Sequence, residues 1–260
     1  MLEPTDRHLL FDGAVEALVY GKPTDLEPSN LMQISEEIEV ETILKPETHT
    51  FNARVCDSSD LTKIGYRNSV TILGNYPADG VVIPIGQAAC LRTADCPTII
   101  ARHNNTGEVI AAHAGRASLI DETALRNDQL ETRPSIVKAI CQRLLRANHR
   151  SKVIQTMSIC GIGPMFFSHP ASDPKHGDFN LLRNRHIGGK YGADCFLAGN
   201  LKRGNLNLFR LIAKQFIACG VSIENLAYDG VDTASRTDRY FSRRGGDLTG
   251  HNTILVIRRA

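Results

Sequence analysis

The sequence predicts a fold of strands and helices that lacks the regular strand–helix alternation of a Rossmann-type parallel sheet. A mixed series of predicted strands comes first, and the two clearest helical patterns, at residues 134–145 and 206–218, come later. The glycine-rich phosphate loops GxGxxG and GxxxxGK[ST] do not occur in the sequence. A nucleotide-binding parallel sheet is therefore not expected.

The composition is that of an ordinary globular protein. The chain has 260 residues, of which 42% are hydrophobic and 22% charged, and its net charge is +2. This balance argues against disorder and gives no electrostatic reason to expect a nucleic-acid or membrane partner. No apolar run approaches the roughly 20 residues that a bilayer requires, and the charged residues 1–7 do not resemble a secretory signal. Because no linker is evident, we expect a single domain over residues 1–260.

The cysteines indicate a reducing environment. The seven cysteines are odd in number and form no CxxC motif, which argues against a zinc ribbon and against a disulfide framework. A cytoplasmic location is therefore expected. Six of the seven are predicted to be small core residues, and only Cys96 has a chemically suggestive setting.

Hydrophobic periodicity predicts most of the remaining elements. The predicted strands lie near residues 14–20, 38–44, 78–83, 87–92, 153–159, 223–228 and 253–257. Residues 57–75 are predicted to form an inserted loop, and residues 165–203 are expected to be rich in loops. The helix at 134–145 is expected to be capped near Thr132 or Arg133, and Gly220 is expected to end the second helix.

A predicted β-hairpin brings two reactive side chains together. The apolar runs 98–101 and 109–112 flank an Asn-Asn-Thr-Gly turn at 104–107. Counting outward from this turn places Cys96 and His113 on one face at the open end, with Cβ atoms roughly 5 Å apart. A thiol and an imidazole in this arrangement are either two metal ligands or a nucleophile–base pair.

Several motifs resemble those of the YfiH-like family, also called the laccase-domain or multicopper polyphenol oxidase family. Thr-Ala-Asp-Cys at 93–96, followed by His-Ala-Gly at 113–115, is similar to the family's core signature, in which T-A-D-C precedes H-A-G-W-R-G. Ile-Gly-Pro at 162–164 and Phe-Ser-Arg-Arg at 241–244 are similar to two further elements, although the tryptophan of the core signature is absent. The resemblance covers residues 45–260, whereas residues 1–44 are poorly matched.

The resemblance implies both a fold and an activity. The fold is α+β, with two mixed β-sheets packed together, helices outside them and a metal at one edge of the sheets. The activity is zinc-dependent and acts on purine nucleosides: phosphorolysis of adenosine, inosine or guanosine with phosphate, and hydrolytic deamination of adenosine. Zinc is expected rather than copper, because multicopper oxidation requires paired His-x-His ligands and the sequence has none.

The resemblance also implies which residues carry the chemistry. The expected zinc ligands and catalytic residues are His49, Cys96 and His113, with His49 in a context that loosely resembles the family's Q-V-H-G-T element. If His49 is not the third ligand, the alternatives are His169 and His176, which are otherwise predicted to lie on loops or at the surface.

Arginines are expected to bind the phosphate of the substrate. The candidates are Arg54, Arg116, Arg243 and Arg244. Two other functions remain open from the sequence. One is a metal-free deamidase or hydrolase that uses Cys96 as nucleophile and His113 as base. The other is a degenerate member of the family that binds nucleosides without turning them over.

Overall fold

The computed structural model describes residues 2–24, 28–48, 52–67, 69–129, 131–146 and 153–260. The strands are β1 (Asp6–Leu10), β2 (Val15–Tyr20), β3 (Thr42–Leu44), β4 (Val55–Cys56), β5 (Thr62–Arg67), β6 (Val70–Gly74), β7 (Gly80–Ile83), β8 (Ala88–Thr93), β9 (Thr98–His103), β10 (Val109–His113), β11 (Ile154–Ile159), β12 (Leu226–Tyr228) and β13 (Asn252–Arg258). The α-helices are α1 (Pro28–Glu37), α2 (Arg116–Leu119), α3 (Glu122–Arg126), α4 (Ile136–Leu144), α5 (Gly177–Tyr191) and α6 (Leu208–Ala218).

The strands form two mixed sheets. In the described part of the chain, one sheet has seven strands in the order β1-β2-β13-β8-β3-β6-β5 and the other has six in the order β12-β11-β9-β10-β7-β4. Each sheet contains both parallel and antiparallel neighbours: β3 is parallel to β8 and β4 to β7, while β13 is antiparallel to β8 and β10 to β9. The predicted α+β architecture with two mixed sheets is confirmed.

Apolar side chains from both sheets form the central core. Val15, Leu91 and Val256 of the seven-stranded sheet pack with Ile100 and Val109 of the six-stranded sheet, all buried. The outer face of the six-stranded sheet is covered by α4, α5 and α6, and α1 packs on the outer face of the other sheet. No helix in the described ranges has both the length and the apolar character that a membrane span needs.

The structure confirms the predicted hairpin, but His113 is not directly opposite Cys96 in its register. Strands β9 and β10 pair antiparallel, with Thr98 opposite His113 and Arg102 opposite Val109. The predicted turn lies between them, and Gly107 adopts a positive φ of 67° that a residue with a side chain rarely adopts. Helix α4 is also confirmed, although its cap is Ser135, whose side chain accepts a hydrogen bond from the Lys138 amide, and not Thr132 or Arg133.

Two predictions of irregular structure were wrong. Residues 57–75 are not an inserted loop, because β5 and β6 form an antiparallel hairpin at the edge of the seven-stranded sheet. The predicted loop-rich region at 165–203 contains the 15-residue helix α5, which the sequence conceals because it buries polar side chains such as Asn180 and Arg183. The predicted strand at 38–44 is shorter than expected, since only Thr42–Leu44 pairs and α1 precedes it.

Candidate active site

Cys96 and His113 meet at the open end of the β9–β10 hairpin, and we call them the thiol–imidazole pair. His113 ends β10 and is fully buried, while Cys96 is partly exposed just before β9. The register places Gly115, not His113, opposite Cys96. A Cβ atom added at Gly115 would lie 2.8 Å from His113 Cε1 and 3.2 Å from Cys96 Sγ. The absence of a side chain at Gly115 therefore leaves the space between the two groups open.

The His113 side chain faces the Asp79 carboxylate and the Cys96 sulfur. Its Nδ1 lies 4.0 Å from Asp79 Oδ1, and the other carboxylate oxygen of Asp79 accepts a hydrogen bond from the Ala53 amide at 2.8 Å. Burial lowers the pKa of His113, but the charge of the Cys96 thiolate and the hydrogen bonds to Asp79 and Cys96 outweigh burial and raise it to about 9. The pair therefore favours a protonated imidazole next to the Cys96 sulfur, and a bound cation could take the place of that proton.

Asp95, the residue before Cys96, connects the hairpin to the loop that carries Arg244. One of its carboxylate oxygens accepts hydrogen bonds from Ser242 Oγ at 2.6 Å and from Thr233 Oγ1 at 3.1 Å. The other accepts from the Arg244 amide at 3.1 Å. Burial raises the pKa of Asp95, although these hydrogen bonds and the charge of Arg244 oppose the rise. The carboxylate thus fixes the start of the Arg243–Arg244 loop next to the thiol–imidazole pair.

Guanidinium groups gather beside this end of the hairpin around His169, and we call Arg116, Arg183, Arg244, His169 and Glu122 the arginine cluster. Arg116 Nη1 lies 2.5 Å from His169 Nε2, and Arg244 Nη2 lies 3.4 Å from the same atom. Burial, followed by the charges of the three arginines, lowers the pKa of His169 to about 2. The neutral ring therefore accepts the hydrogen bond from Arg116 and carries its own proton on Nδ1.

Glu122 partly balances the charge of the arginine cluster. Its Oε1 accepts from Arg116 Nε at 2.5 Å and lies 3.5 Å from Arg183 Nη1. Arg183 is 2% exposed, and burial together with the charge of Arg116 lowers its pKa to about 10. With three guanidinium groups, one carboxylate and a neutral imidazole, the cluster keeps a net positive charge. It can thus attract an anion of the size and charge of phosphate.

The other predicted arginines have different neighbours. Exposed Arg54 directs its Nη1 towards the Tyr76 hydroxyl at 3.2 Å, and its backbone follows Ala53, which binds Asp79. Exposed Arg243 lies close enough to Asp247 to contribute to lowering the pKa of that carboxyl. The structure therefore brings Arg116 and Arg244 together on His169, whereas Arg54 and Arg243 have other neighbours.

The candidate third metal ligand, His49, lies outside the described residues. Within the described ranges, no group of three or more His, Cys, Asp or Glu side chains is arranged to hold a metal ion. Of the two alternatives, His169 directs its Nε2 at two guanidinium groups, which would repel a cation. His176 is exposed at the start of α5. The thiolate and imidazole at the hairpin, with the open space that Gly115 leaves, suit zinc as two of its ligands.

Sequence reasoning missed three members of the arginine cluster. The sequence predicts His169 on a loop or at the surface, or else as an alternative metal ligand. It indicates no functional role for Arg183 or Glu122. The sequence points to a buried Arg183 only once residues 177–191 are recognised as a helix. Arg183 then shares the buried face of α5 with Asn180 and Asn184. His169 carries no local signal, since it comes to Arg116 from a distant part of the chain, and Glu122 reaches Arg116 from the start of α3 six residues later.

Comparison with solved structures identifies the same fold in three bacterial proteins. The hypothetical protein YfiH from Bacillus licheniformis matches with a TM-score of 0.70 and 16% sequence identity over 98% of this chain and 97% of that one. YlmD from Geobacillus stearothermophilus gives a TM-score of 0.71 and 17% identity over 95% and 93% of the two chains. A Neisseria meningitidis protein described by the family name DUF152 gives 0.63 and 15% over 95% of each.

No protein-family model and no curated protein matches the sequence. Because the structural matches cover 95–98% of the chain, they nevertheless reach into the N-terminal part that the motifs do not cover. At these identities they confirm the fold that the sequence motifs imply, namely that of the YfiH-like proteins.

Proposed function

We propose that this chain is a divergent YfiH-like enzyme that binds zinc and acts on purine nucleosides. The reactions are phosphorolysis to the free base and ribose 1-phosphate, and hydrolytic deamination of adenosine. One observation carries the proposal: the thiol–imidazole pair and the arginine cluster are built on adjoining residues. Arg116 follows Gly115 at the end of the hairpin, and the Arg244 amide is bound by Asp95, next to Cys96. A metal-ligating pair and an anion site thus lie at one end of one hairpin.

Cys96 and His113 would hold the zinc, with His49 as the third protein ligand. Asp79, whose Oδ1 lies 4.0 Å from His113 Nδ1, would orient the imidazole, as carboxylates commonly do for histidine ligands. Bound zinc would supply a Lewis acid and a water molecule that is ionised near neutral pH, as hydrolytic deamination requires. The family's core signature has a tryptophan after His-Ala-Gly, and this chain has Arg116 at that position. A guanidinium group therefore follows the hairpin where the family has an aromatic ring that could stack on a substrate.

The arginine cluster would hold phosphate for attack on the sugar C1′. Arg116 and Arg244 converge on His169 Nε2, and buried Arg183 adds charge to the cluster without a competing solvent shell. His169 fixes the orientation of Arg116 by accepting a hydrogen bond from its Nη1. Glu122 accepts a hydrogen bond from Nε of the same side chain. Phosphate therefore finds oriented donors in place, and positioning and charge compensation provide the acceleration.

The proposal is tested by measuring hypoxanthine release from inosine with zinc-loaded protein and varied phosphate. We expect turnover that depends on phosphate and that stops on zinc chelation. Arg116→Met combined with Arg244→Met should raise the KM for phosphate by about tenfold or more, because two charge-assisted hydrogen bonds to the anion are lost. Zinc content should not change.

The matched control is Arg210→Met. It removes an exposed arginine of α6 that pairs with Asp194. Its phosphate KM should equal that of the wild type. If zinc-loaded wild type releases no base from inosine, guanosine or adenosine and does not deaminate adenosine, the proposed activity is wrong. Nucleoside binding without turnover would identify a degenerate, non-catalytic member.

The contact between Cys96 and His113 also favours a second candidate, a metal-free Cys–His deamidase or hydrolase. A cysteine sulfur next to an imidazole, with Asp79 behind the ring, is the arrangement of a cysteine nucleophile and its base. The two functions respond differently to the same treatment. A metal-free enzyme would keep its activity after chelation and lose it on alkylation of Cys96, whereas the zinc enzyme would lose its activity on chelation alone.

A further inference from the structure

Two cysteines lie close together on the outer face of the six-stranded sheet. Helices α4 and α6 pack against each other over this sheet, with Cys141 on the buried face of α4 and Cys219 capping the C-terminus of α6. The two thiols hydrogen-bond to each other. They are distant in sequence, and neither belongs to the thiol–imidazole pair or to the arginine cluster.

The two thiols of this pair are not equivalent. The hydrogen bond from Cys141 lowers the pKa of Cys219, although burial opposes this change, and the ammonium group of Lys138 contributes in the same direction. The hydrogen bond and burial raise the pKa of Cys141. Cys219 is therefore the more acidic of the two thiols, and the more readily formed thiolate is the better nucleophile.

A cavity of about 510 Å³ gives access to Cys219. Lys138 and Gln142 of α4 line it with Cys219, and both are exposed. Gln215, one helical turn before Cys219, lines the same cavity and is 2% exposed, and its Oε1 has no hydrogen-bond partner among the residues that the structure describes. Cys219 is partly exposed, whereas Cys141 is buried behind it. Cys219, the thiol that would attack, therefore lies at the cavity, and Cys141 lies deeper in the protein.

We propose that Cys219 and Cys141 form a redox-active dithiol that a small hydroperoxide oxidises to an intramolecular disulfide. The Cys219 thiolate attacks the terminal oxygen of the hydroperoxide and breaks the O–O bond, and the alcohol or water leaves after taking a proton. Cys141 then attacks the sulfenic sulfur of Cys219, the S–O bond breaks, and the Cys141 proton leaves with the hydroxide as water. Two thiols lose two electrons and two protons in all, and the hydroperoxide is reduced to an alcohol, or to water, and one further water.

The test exposes the full-length wild-type protein to hydrogen peroxide, blocks the remaining thiols with N-ethylmaleimide and maps the peptides by mass spectrometry. We expect one linked peptide pair that contains Cys141 and Cys219 and that dithiothreitol separates. Wild-type protein in which Cys219 stays alkylated, or is overoxidised without a link to Cys141, would overturn the proposal.

Two variants sharpen this result. Cys141→Ser should leave the sulfenic acid of Cys219 without its resolving partner, so that dimedone labels Cys219. Cys195→Ser is the matched control, since Cys195 is a buried cysteine whose thiol donates to the Tyr191 carbonyl, a bond that serine can also make. The Cys195 variant should form the Cys141–Cys219 disulfide as the wild type does.

Discussion

The thiol–imidazole pair and the arginine cluster lie at the same end of one hairpin, but different interactions hold them in place. Backbone hydrogen bonds fix the pair: the His113 amide donates to the Asp79 carbonyl at 2.7 Å, and the Ala114 amide donates to the Pro97 carbonyl at 2.8 Å. Side chains fix the arginine cluster, through Glu122 and the neutral ring of His169.

This difference has a physical consequence. The positions of Cys96 and His113 depend on ladder pairing between two buried strands, which a single side-chain substitution leaves intact. The positions of Arg116 and Arg244 depend on a few carboxylate and imidazole atoms, so that one substitution can displace a guanidinium. We therefore expect zinc binding to tolerate changes in the arginine cluster, and phosphate binding to be sensitive to its supporting residues.

The largest effect is expected at Asp95, the one carboxylate that joins the two regions. Asp95→Ala leaves the buried hydroxyls of Ser242 and Thr233 and the Arg244 amide without their acceptor. We expect the free energy of unfolding to fall by about 3 kcal/mol and the phosphate KM to rise, because the Arg244 loop loses its attachment. Chemical denaturation and phosphate-dependent turnover measure the two effects.

A double substitution separates this explanation from a simple loss of packing. Ser242→Ala removes one of the donors together with its need for an acceptor, so alone it should cost about 1 kcal/mol. Added to Asp95→Ala, it should cost less than it does in the wild type. Strict additivity of the two losses would mean that Asp95 does not act through Ser242.

A smaller effect is expected from the pH dependence of His169. Its pKa is lowered from 6.5 to about 2 in the folded chain, whereas the unfolded chain takes up the proton below pH 6.5. The unfolded state therefore binds more protons, so that stability is complete above pH 6.5 and falls as the pH decreases towards 2. His169→Gln removes this titration.

Between pH 6.5 and 4.5, the unfolding free energy of the wild type should fall by about 1–2 kcal/mol more than that of His169→Gln, after allowing for the partial exposure of the ring. Urea denaturation in the presence of a chelator measures both, so that loss of zinc at low pH does not contribute. Equal decreases in the two proteins would show that His169 is protonated in the folded state and that the arginine cluster does not hold it neutral.

The same difference explains how much of the site could be predicted from the sequence. The thiol–imidazole pair was predictable because strand periodicity and a four-residue turn determine which residues of a hairpin meet. The arginine cluster was predicted only in part, through Arg116 and Arg244, whose motifs lie in or next to recognisable elements. His169 and Arg183 join it through tertiary packing of distant segments, and Glu122 joins it through the bend between α2 and α3, which no periodicity encodes.

The fold shows a similar division between apolar and polar elements. Buried strands such as β9, β10 and β13 were predicted because their apolar runs are continuous. The β5–β6 hairpin was assigned to a loop because β5 is exposed at the sheet edge and has a bulge near Gly65. Helix α5 was missed because its buried face carries Asn180, Arg183 and Asn184 in place of an apolar stripe. Periodicity identifies elements that bury apolar side chains and overlooks those that bury polar ones.

We propose that Cys96, His113 and His49 together bind zinc. The coordination shell of bound zinc tests this proposal most directly. X-ray absorption at the zinc edge of the zinc-loaded protein should show one sulfur at about 2.3 Å and two imidazole nitrogens at about 2.0–2.1 Å. His49→Ala should remove one nitrogen and lower zinc affinity by more than about tenfold, and Cys96→Ser should remove the sulfur. A spectrum without sulfur, or one that is the same in the wild type and the Cys96→Ser variant, would contradict the account.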